Sequence, residues 1–190
     1  NYAAYALNAS SFVDNFPDTL EALRKRDDWQ HWQAAVHEEM LSHQKNKTWT
    51  LTKLPEGRKP ITCKWIFKIK RSGSGDPVRY KARLVARGFT QRYGFDYLET
   101  YSPVARMDTV RMLLAVANQQ RFKVHQMDVK TAFLNGTLQE EIYMVPPEGL
   151  QVKPGLVCRL NRALYGLKQA SRTWNERFHK FVLELGFSRS

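Results

Sequence analysis

At 190 residues, 43% of them hydrophobic and five of them tryptophan, the chain can bury one sizeable core, or a core plus a small lobe. No apolar run approaches the roughly 18 residues of a membrane-spanning helix, and two cysteines, Cys63 and Cys158, make neither a zinc site nor a disulfide framework. The net charge of +12 is concentrated, because residues 58–92 carry eleven basic side chains against Asp76 alone while residues 1–57 are net −2.

A basic block of that density points to a polyanion partner. The plainer alternative is a solvated strand pair, since charge runs usually form solvated faces. The cysteines read as reduced, buried thiols. No signal peptide opens the chain and its first residue is not Met, so a piece of a longer protein is expected. Without a secretory signal, the Asn-x-Ser/Thr matches at Asn8, Asn46 and Asn135 carry little weight.

Residues 1–16 are polar and small and read as a linker. Asp18 is placed to cap a short helix over residues 19–26. A longer helix is predicted over residues 28–44, where Trp29, Trp32, Val36 and Met40 fall at helical spacing and form a buried stripe. His37-Glu38-Glu39 is not a metalloprotease helix, because the second histidine would fall at Leu41. His31, His37 and His43 read as solvent-facing or stacked residues. Residues 48–54 alternate like a short strand and end at the Pro55-Glu56-Gly57 turn.

The basic block reads as a β-hairpin with strands at 61–71 and 78–88 and a glycine-bearing tip between them. Alternation puts Trp65, Phe67 and Ile69 on one face of the first strand and Lys64, Lys68 and Lys70 on the other. The second strand separates Tyr80, Ala82, Leu84 and Ala86 from Arg79, Lys81, Arg83 and Arg87. One side is greasy and one positive, and the positive side suits a triphosphate or a nucleic-acid backbone.

Beyond an irregular stretch, Asp108 is expected to cap a helix reaching residue 119, with Val110, Leu113, Leu114 and Ala117 inward. A strand over residues 123–129 then ends at Asp128. Two more strands are expected at 141–145 and 156–160, separated by a turn at 146–149. A final helix over 171–185 buries Trp174, Phe178, Phe181, Val182 and Leu185 and stops at Gly186. There is no internal repeat and no regular β-α alternation, which favours an α+β fold with an antiparallel sheet packed on helices.

Six segments in order, NKTWTLTKLPEG, KWIFKIK, YKARLVARGFTQ, ETYSPVARMDTVR, QMDVKTAFLNG and LYGLKQASRTWNERF, resemble the reverse transcriptase of copia-type LTR retrotransposons. The resemblance covers nearly everything from Trp29 onward. It implies a right-hand polymerase: N-terminal helices and a lead-in strand at 17–57, a fingers hairpin at 58–102, and a partial palm at 103–190. Lys81 and Arg83 would contact the triphosphate, with Lys68, Lys70 and Arg87 along the nucleic acid.

QMDVKTAFLNG is similar to the first palm motif of that family. The resemblance implies that Asp128 is the catalytic carboxylate and binds divalent metal, with the Val129 carbonyl as a second ligand. Backbone amides of Lys130, Thr131 and Ala132 would receive the triphosphate, and Phe133 would crowd the sugar 2′ position. LYGLKQAS is similar to the second motif, with Gly166 allowing close backbone approach, Lys168 near nucleic acid, and Gln169 on nucleotide or template. Read from the residues alone, an Asp at a strand end is usually a cap, a Phe is usually core, and a Gln here usually opens a helix.

The family's function is RNA-directed DNA polymerisation with two Mg2+ or Mn2+ ions, all-oxygen ligation suiting either metal. The implied partners are an RNA or DNA template-primer, dNTP, and the remaining palm, thumb and ribonuclease H of a Pol polyprotein, with no membrane. The implied location is the cytoplasm, in a virus-like particle, with the nucleus as the alternative. The family's Tyr-x-Asp-Asp hairpin is not in this sequence, so the chain is expected to be inactive alone and to expose apolar palm surface. The alternative function is a non-catalytic nucleic-acid-binding remnant of a retroelement.

Overall fold

The computed structural model describes residues 17, 19–72 and 76–188, so the linker, Asp18 and the centre of the hairpin tip lie outside the described residues. Helix α1 (Leu20–Leu23) is a single turn, capped by the Thr19 hydroxyl, which accepts the Ala22 N–H at 3.3 Å. Its first two amides also donate to the Glu148 carboxylate, at 2.9 and 3.0 Å. A residue 128 positions away thus satisfies donors that a helix start leaves orphaned.

Helix α2 (Trp29–Lys45) has the expected extent, but its start lacks a side-chain cap, because Asp28 instead takes a two-pronged ion pair from Arg26 at 2.8 and 3.0 Å. Trp32 and Ala35 are buried, while Trp29, Val36 and Met40 pack on the core only partly. The stripe extends to two polar residues that periodicity of apolar residues cannot flag, Glu39 and His43. His31 stacks on Tyr80 with ring centroids 4.9 Å apart, as a surface histidine can. Of the two alternatives, solvent-facing or stacked, His43 is not solvent-facing: it is 2% exposed, lies against the Trp49 ring, and bonds Thr48.

The strands form two sheets. Strand β1 (Trp49–Lys53), strand β4 (Tyr143–Met144) and strand β5 (Leu156–Leu160) make an antiparallel sheet in the order β1-β5-β4. Strand β2 (Cys63–Arg71) and strand β3 (Pro77–Ala86) make the hairpin. A bridge between Ile61 and Met144 ties the two sheets together. Register pairs Trp65 with Leu84, Phe67 with Ala82 and Ile69 with Tyr80, so both strands turn their apolar residues the same way, as the alternation predicts. Trp65, Phe67, Ile69, Ala82, Leu84 and Ala86 are all buried, and α2 lies over that side, with Trp32 edge-on to both Phe67 and Tyr80.

The strand expected over residues 123–129 does not form, and every residue from 118 to 130 is exposed. A strand exists only when its amides and carbonyls find a neighbour, and none of the described strands lies beside this segment. Helix α3 (Met107–Gln119) forms over the expected residues but has no buried side chain, with Val110 at 39%, Leu113 at 60% and Leu114 at 51% exposure. Its cap position is Arg106, and Asp108 sits inside the first turn, where a carboxylate favours the helix dipole instead of capping.

Helix α4 (Ala170–Glu184) buries Ala170 and Thr173. Phe178, Phe181 and Leu185, expected inside, are exposed, and Trp174 and Val182 only half-buried, because nothing described covers that face. Gly186 adopts φ +87° and ends the helix as its sequence position predicts. The α+β class and the antiparallel sheets packed on helices stand, and among the described residues the apolar faces of α3 and α4 form an exposed surface.

Candidate nucleotide and nucleic-acid site

The solvent face of the hairpin collects Lys64, Lys68, Lys70, Arg79, Lys81 and Arg83. Lys68 stands directly opposite Lys81, and Lys70 opposite Arg79. Like charges opposed across strands repel, so this face is destabilised until an anion lies on it. Arg79 has a counter-ion, Glu38 of α2, at 3.0 Å. Among the described residues, no carboxylate pairs with Lys68, Lys70, Lys81 or Arg83. Burial first, then the Arg83, Lys70 and Arg79 charges, hold the Lys81 ammonium below its ordinary pKa.

Helix α2 fixes this hairpin from behind. The Glu39 carboxylate accepts the Leu84 N–H at 3.2 Å, covering an edge amide of β3 one residue beyond Arg83. Arg83 then reaches over the ring of Tyr165, its guanidinium carbon 4.7 Å from the centroid. Tyr165 in turn meets Phe133 edge-on at 4.7 Å. A single chain of contacts therefore joins the cationic hairpin to the segment after Asp128.

That segment turns through Thr131, whose left-handed φ of 50° is unusual for a β-branched residue. The 3-10 turn Ala132–Asn135 follows, closed by the Asn135 side-chain amide donating to the Thr131 carbonyl at 3.2 Å. Leu134 anchors it in the core, and Gly136 lies so close to α4 that a Cβ there would fall 2.7 Å from the Thr173 hydroxyl. Phe133 is thereby held half-buried on a fixed turn. Among the described residues, neither the Lys130 nor the Thr131 N–H donates to another backbone group. Asp128, Val129 and Lys130 are exposed.

Gly166 has φ +87°, and a Cβ on it would meet the Ala86 carbonyl oxygen at 2.1 Å. The close approach it permits is thus to the hairpin's own backbone, where Ala86 N–H donates to the Tyr165 carbonyl at 2.8 Å. Gln169, expected on nucleotide or template, lies in the interior. It is fully buried, accepts from the Gln91 side chain at 3.0 Å and donates to the Asp96 carbonyl at 2.9 Å. Both ends of its amide are used inside the protein. Gln91 also accepts the Lys168 N–H at 2.8 Å, and the Lys168 ammonium lies 5.2 Å from the Tyr97 ring centroid. Arg87 is exposed at the end of β3.

The donor set for a metal is incomplete. Among the described residues, no group of three or more His, Cys, Asp or Glu side chains comes together. Asp128 and the Val129 carbonyl offer three oxygens, whereas each Mg2+ takes six, shared among carboxylates, waters and phosphates. These residues do not by themselves fit a pair of ions.

Sequence reasoning missed four residues that hold the site: Glu39, Gln91, Asp96 and Tyr165. Gln91 and Tyr165 lie inside recognised segments, Tyr165 next to Gly166 and Gln91 three residues past Gly88. Glu39 carried no local signal, since its burial depends on the Leu84 amide 45 positions away, and Asp96 is distinguished only by the local turn whose Arg92 N–H it accepts.

Comparison with known proteins bears on the same residues. The family described as reverse transcriptase (RNA-dependent DNA polymerase) matches residues 46–190. The chain is 47% identical, over 171 residues and 89% of its length, to the retrovirus-related Pol polyprotein from transposon TNT 1-94 of Nicotiana tabacum. It is 40% identical over 190 residues, 98% of its length, to the corresponding polyprotein from transposon RE1 of Arabidopsis thaliana. A Gag-Pol polyprotein of the Saccharomyces cerevisiae transposon Ty1 is 31% identical over 160 residues, covering 79% of this chain and 8% of the polyprotein. The match spans about 13% of the length of each of the two plant polyproteins. No solved structure matches the chain significantly. The chain belongs to the reverse transcriptase (RNA-dependent DNA polymerase) family, with the copia-type retrotransposon members.

Proposed function

We propose that this chain supplies the fingers hairpin and the first palm motif of an RNA-directed DNA polymerase. The observation that carries the reading is the contact chain from Arg83 through Tyr165 to Phe133, which links a cationic sheet face to the turn following Asp128. Arg83 and Lys81 grip the triphosphate of an incoming dNTP, with Lys68, Lys70 and Arg87 on nucleic-acid phosphates. The amides of Lys130 to Ala132 receive the triphosphate, and Phe133, rigid on its turn, excludes a 2′-hydroxyl by bulk.

Asp128 contributes one carboxylate to a site for two Mg2+ or Mn2+ ions. When bound, such ions stabilise charge on the attacking and leaving oxygens of nucleotidyl transfer. Since Asp128 and Val129 offer too few oxygens, further carboxylates must come from the rest of a Pol polyprotein, and this chain alone does not catalyse. The partners are template-primer, dNTP and those further palm, thumb and ribonuclease H regions, acting in the cytoplasm.

The deciding experiment is primer extension by the full-length protein carrying Asp128→Asn. Extension is expected to be abolished while template-primer binding changes little. Retained extension would falsify the assignment. Extension lost by wild type as well, with salt-sensitive and magnesium-indifferent binding, would leave a non-catalytic binding module instead.

A further inference from the structure

Between the hairpin and α3, residues 89–98 project aromatic rings into solvent: Phe89 is 77% exposed, Tyr93 71% and Phe95 64%. Their backbone is tightly built all the same. The Asp96 N–H donates to the Arg92 carbonyl at 2.9 Å, and the Gly94 N–H to the Tyr97 carbonyl at 3.0 Å. Asp96 turns inward, 5% exposed, where its carboxylate accepts the Arg92 N–H at 2.7 Å and its carbonyl accepts from buried Gln169. The loop buries its acid and displays its rings. Such an ordered apolar display marks a binding surface.

Two cations stand beside the rings, Arg92, which also lies 3.8 Å from the buried Asp96 carboxylate, and Lys168. The Arg92 guanidinium lies 4.8 Å from the Phe95 ring centroid and the Lys168 ammonium 5.2 Å from that of Tyr97. Tyr97 meets Tyr93 edge-on at 5.7 Å. Glu99, the next acid along the chain, accepts the Thr100 and Tyr101 amides, each at 2.7 Å. The residues 165–168 that carry Lys168 to this loop also carry Tyr165 to Phe133. Two contact runs, Phe133 with Tyr165 and Lys168 with Tyr97 and Tyr93, are therefore joined through the backbone of residues 165–168.

We infer that this loop is a stacking platform for an unpaired nucleic-acid strand, gripping bases on Tyr93 and Phe95 and phosphates on Arg92 and Lys168. Aromatic faces interleaved with cations accept any base, because every base offers a π-face. The inference rests on the polymerase reading in that the unpaired strand is the template ahead of the site at Phe133.

The test measures equilibrium binding of the full-length protein to two probes with the same paired region, one blunt and one with a short 5′ single-stranded overhang. Tyr93→Ala and Phe95→Ala are each expected to weaken overhang binding by about 5- to 100-fold with blunt binding little changed. Tyr93→Phe, which keeps the ring, restores it. Equal losses on both probes, or none, overturn the platform. Should an alanine variant fold poorly, 5-iodouracil placed along the overhang and irradiated with wild-type protein is expected to cross-link at Tyr93 or Phe95. Adducts only elsewhere overturn the inference, as when another protein segment covers the rings. Binding needs no chemistry, so an active polymerase indifferent to the overhang sinks only this inference. A chain that never extends primers, yet binds the overhang through Tyr93, sinks only the polymerase reading.

Discussion

Gly88 and Gly166 meet backbone to backbone: a Cβ on Gly88 would lie 2.0 Å from the Gly166 carbonyl oxygen. This contact docks the end of the hairpin on the loop that carries Tyr165 and Lys168. No side-chain adjustment can relieve a clash with backbone, and Gly166 has in addition a φ of +87° that L residues avoid. Gly166→Ala is expected to cost roughly 2–4 kcal/mol, combining left-handed strain with overpacking. A thermal shift assay should show the loss, and triphosphate affinity should fall with it because Arg83 and Tyr165 lose register. An unchanged melting temperature would contradict the packing argument.

Gln169 holds two loops at once. Gln169→Ala strands the Gln91 amide and the Asp96 carbonyl, both facing a buried site, and leaving buried polar groups unpaired costs about 1–3 kcal/mol each. Stability is expected to drop by about 2–4 kcal/mol, with early proteolytic cleavage near residues 92–98. A variant that loses dNTP affinity but keeps wild-type stability would restore the nucleotide-contacting role.

The charges on the hairpin make a pH prediction. Lys81 has a lowered pKa in the folded chain, so the unfolded chain holds its proton to higher pH. Stability from this group therefore rises with pH between the folded and the ordinary lysine value, and the repulsive penalty is fully present below that window. Arg83→Gln removes the largest neighbouring charge and is expected to move Lys81 upward in an NMR titration of its side chain. In the full-length protein the same substitution should raise KM for dNTP by about 10- to 100-fold, the value of a charge-assisted hydrogen bond. A Lys81 titration indifferent to Arg83 would remove that charge as a cause and leave burial with the Lys70 and Arg79 charges.

Burial pushes the Cys63 thiol up to about 11 and the Cys158 thiol up to about 12. The thiolate is the reactive form, so both should resist alkylation in the native chain near neutral pH. Iodoacetamide labelling should be slow for the folded protein and rapid in denaturant. Fast native labelling of Cys158, which is completely buried, would show that β5 opens readily.

Phe133 offers a test of selectivity separate from stability. Phe133→Ala in the full-length protein should relax discrimination against ribonucleotides, and Tyr165→Ala, which frees the Phe133 ring from its edge contact, should do so more weakly. Ribonucleotide incorporation relative to deoxyribonucleotide is the readout. Unchanged selectivity in both variants would remove Phe133 from that role.

Local sequence determined much of this protein. Period-two alternation around Trp65 and Leu84 dictated the two faces of the hairpin, because each strand residue has only two directions to point. Helical spacing of apolar residues located α2, α3 and α4, and segment order identified the family. Tertiary structure alone decided which of those surfaces are used. Residues 123–129 have the composition of a strand but no neighbour to bond, and Leu113 and Phe181 lie on well-formed apolar faces that nothing described covers. Glu39 and Gln169 are polar residues whose burial depends on an amide and a carbonyl contributed from 45 and 73 positions away. Pairing and burial are properties of two segments together, and neither segment records them by itself.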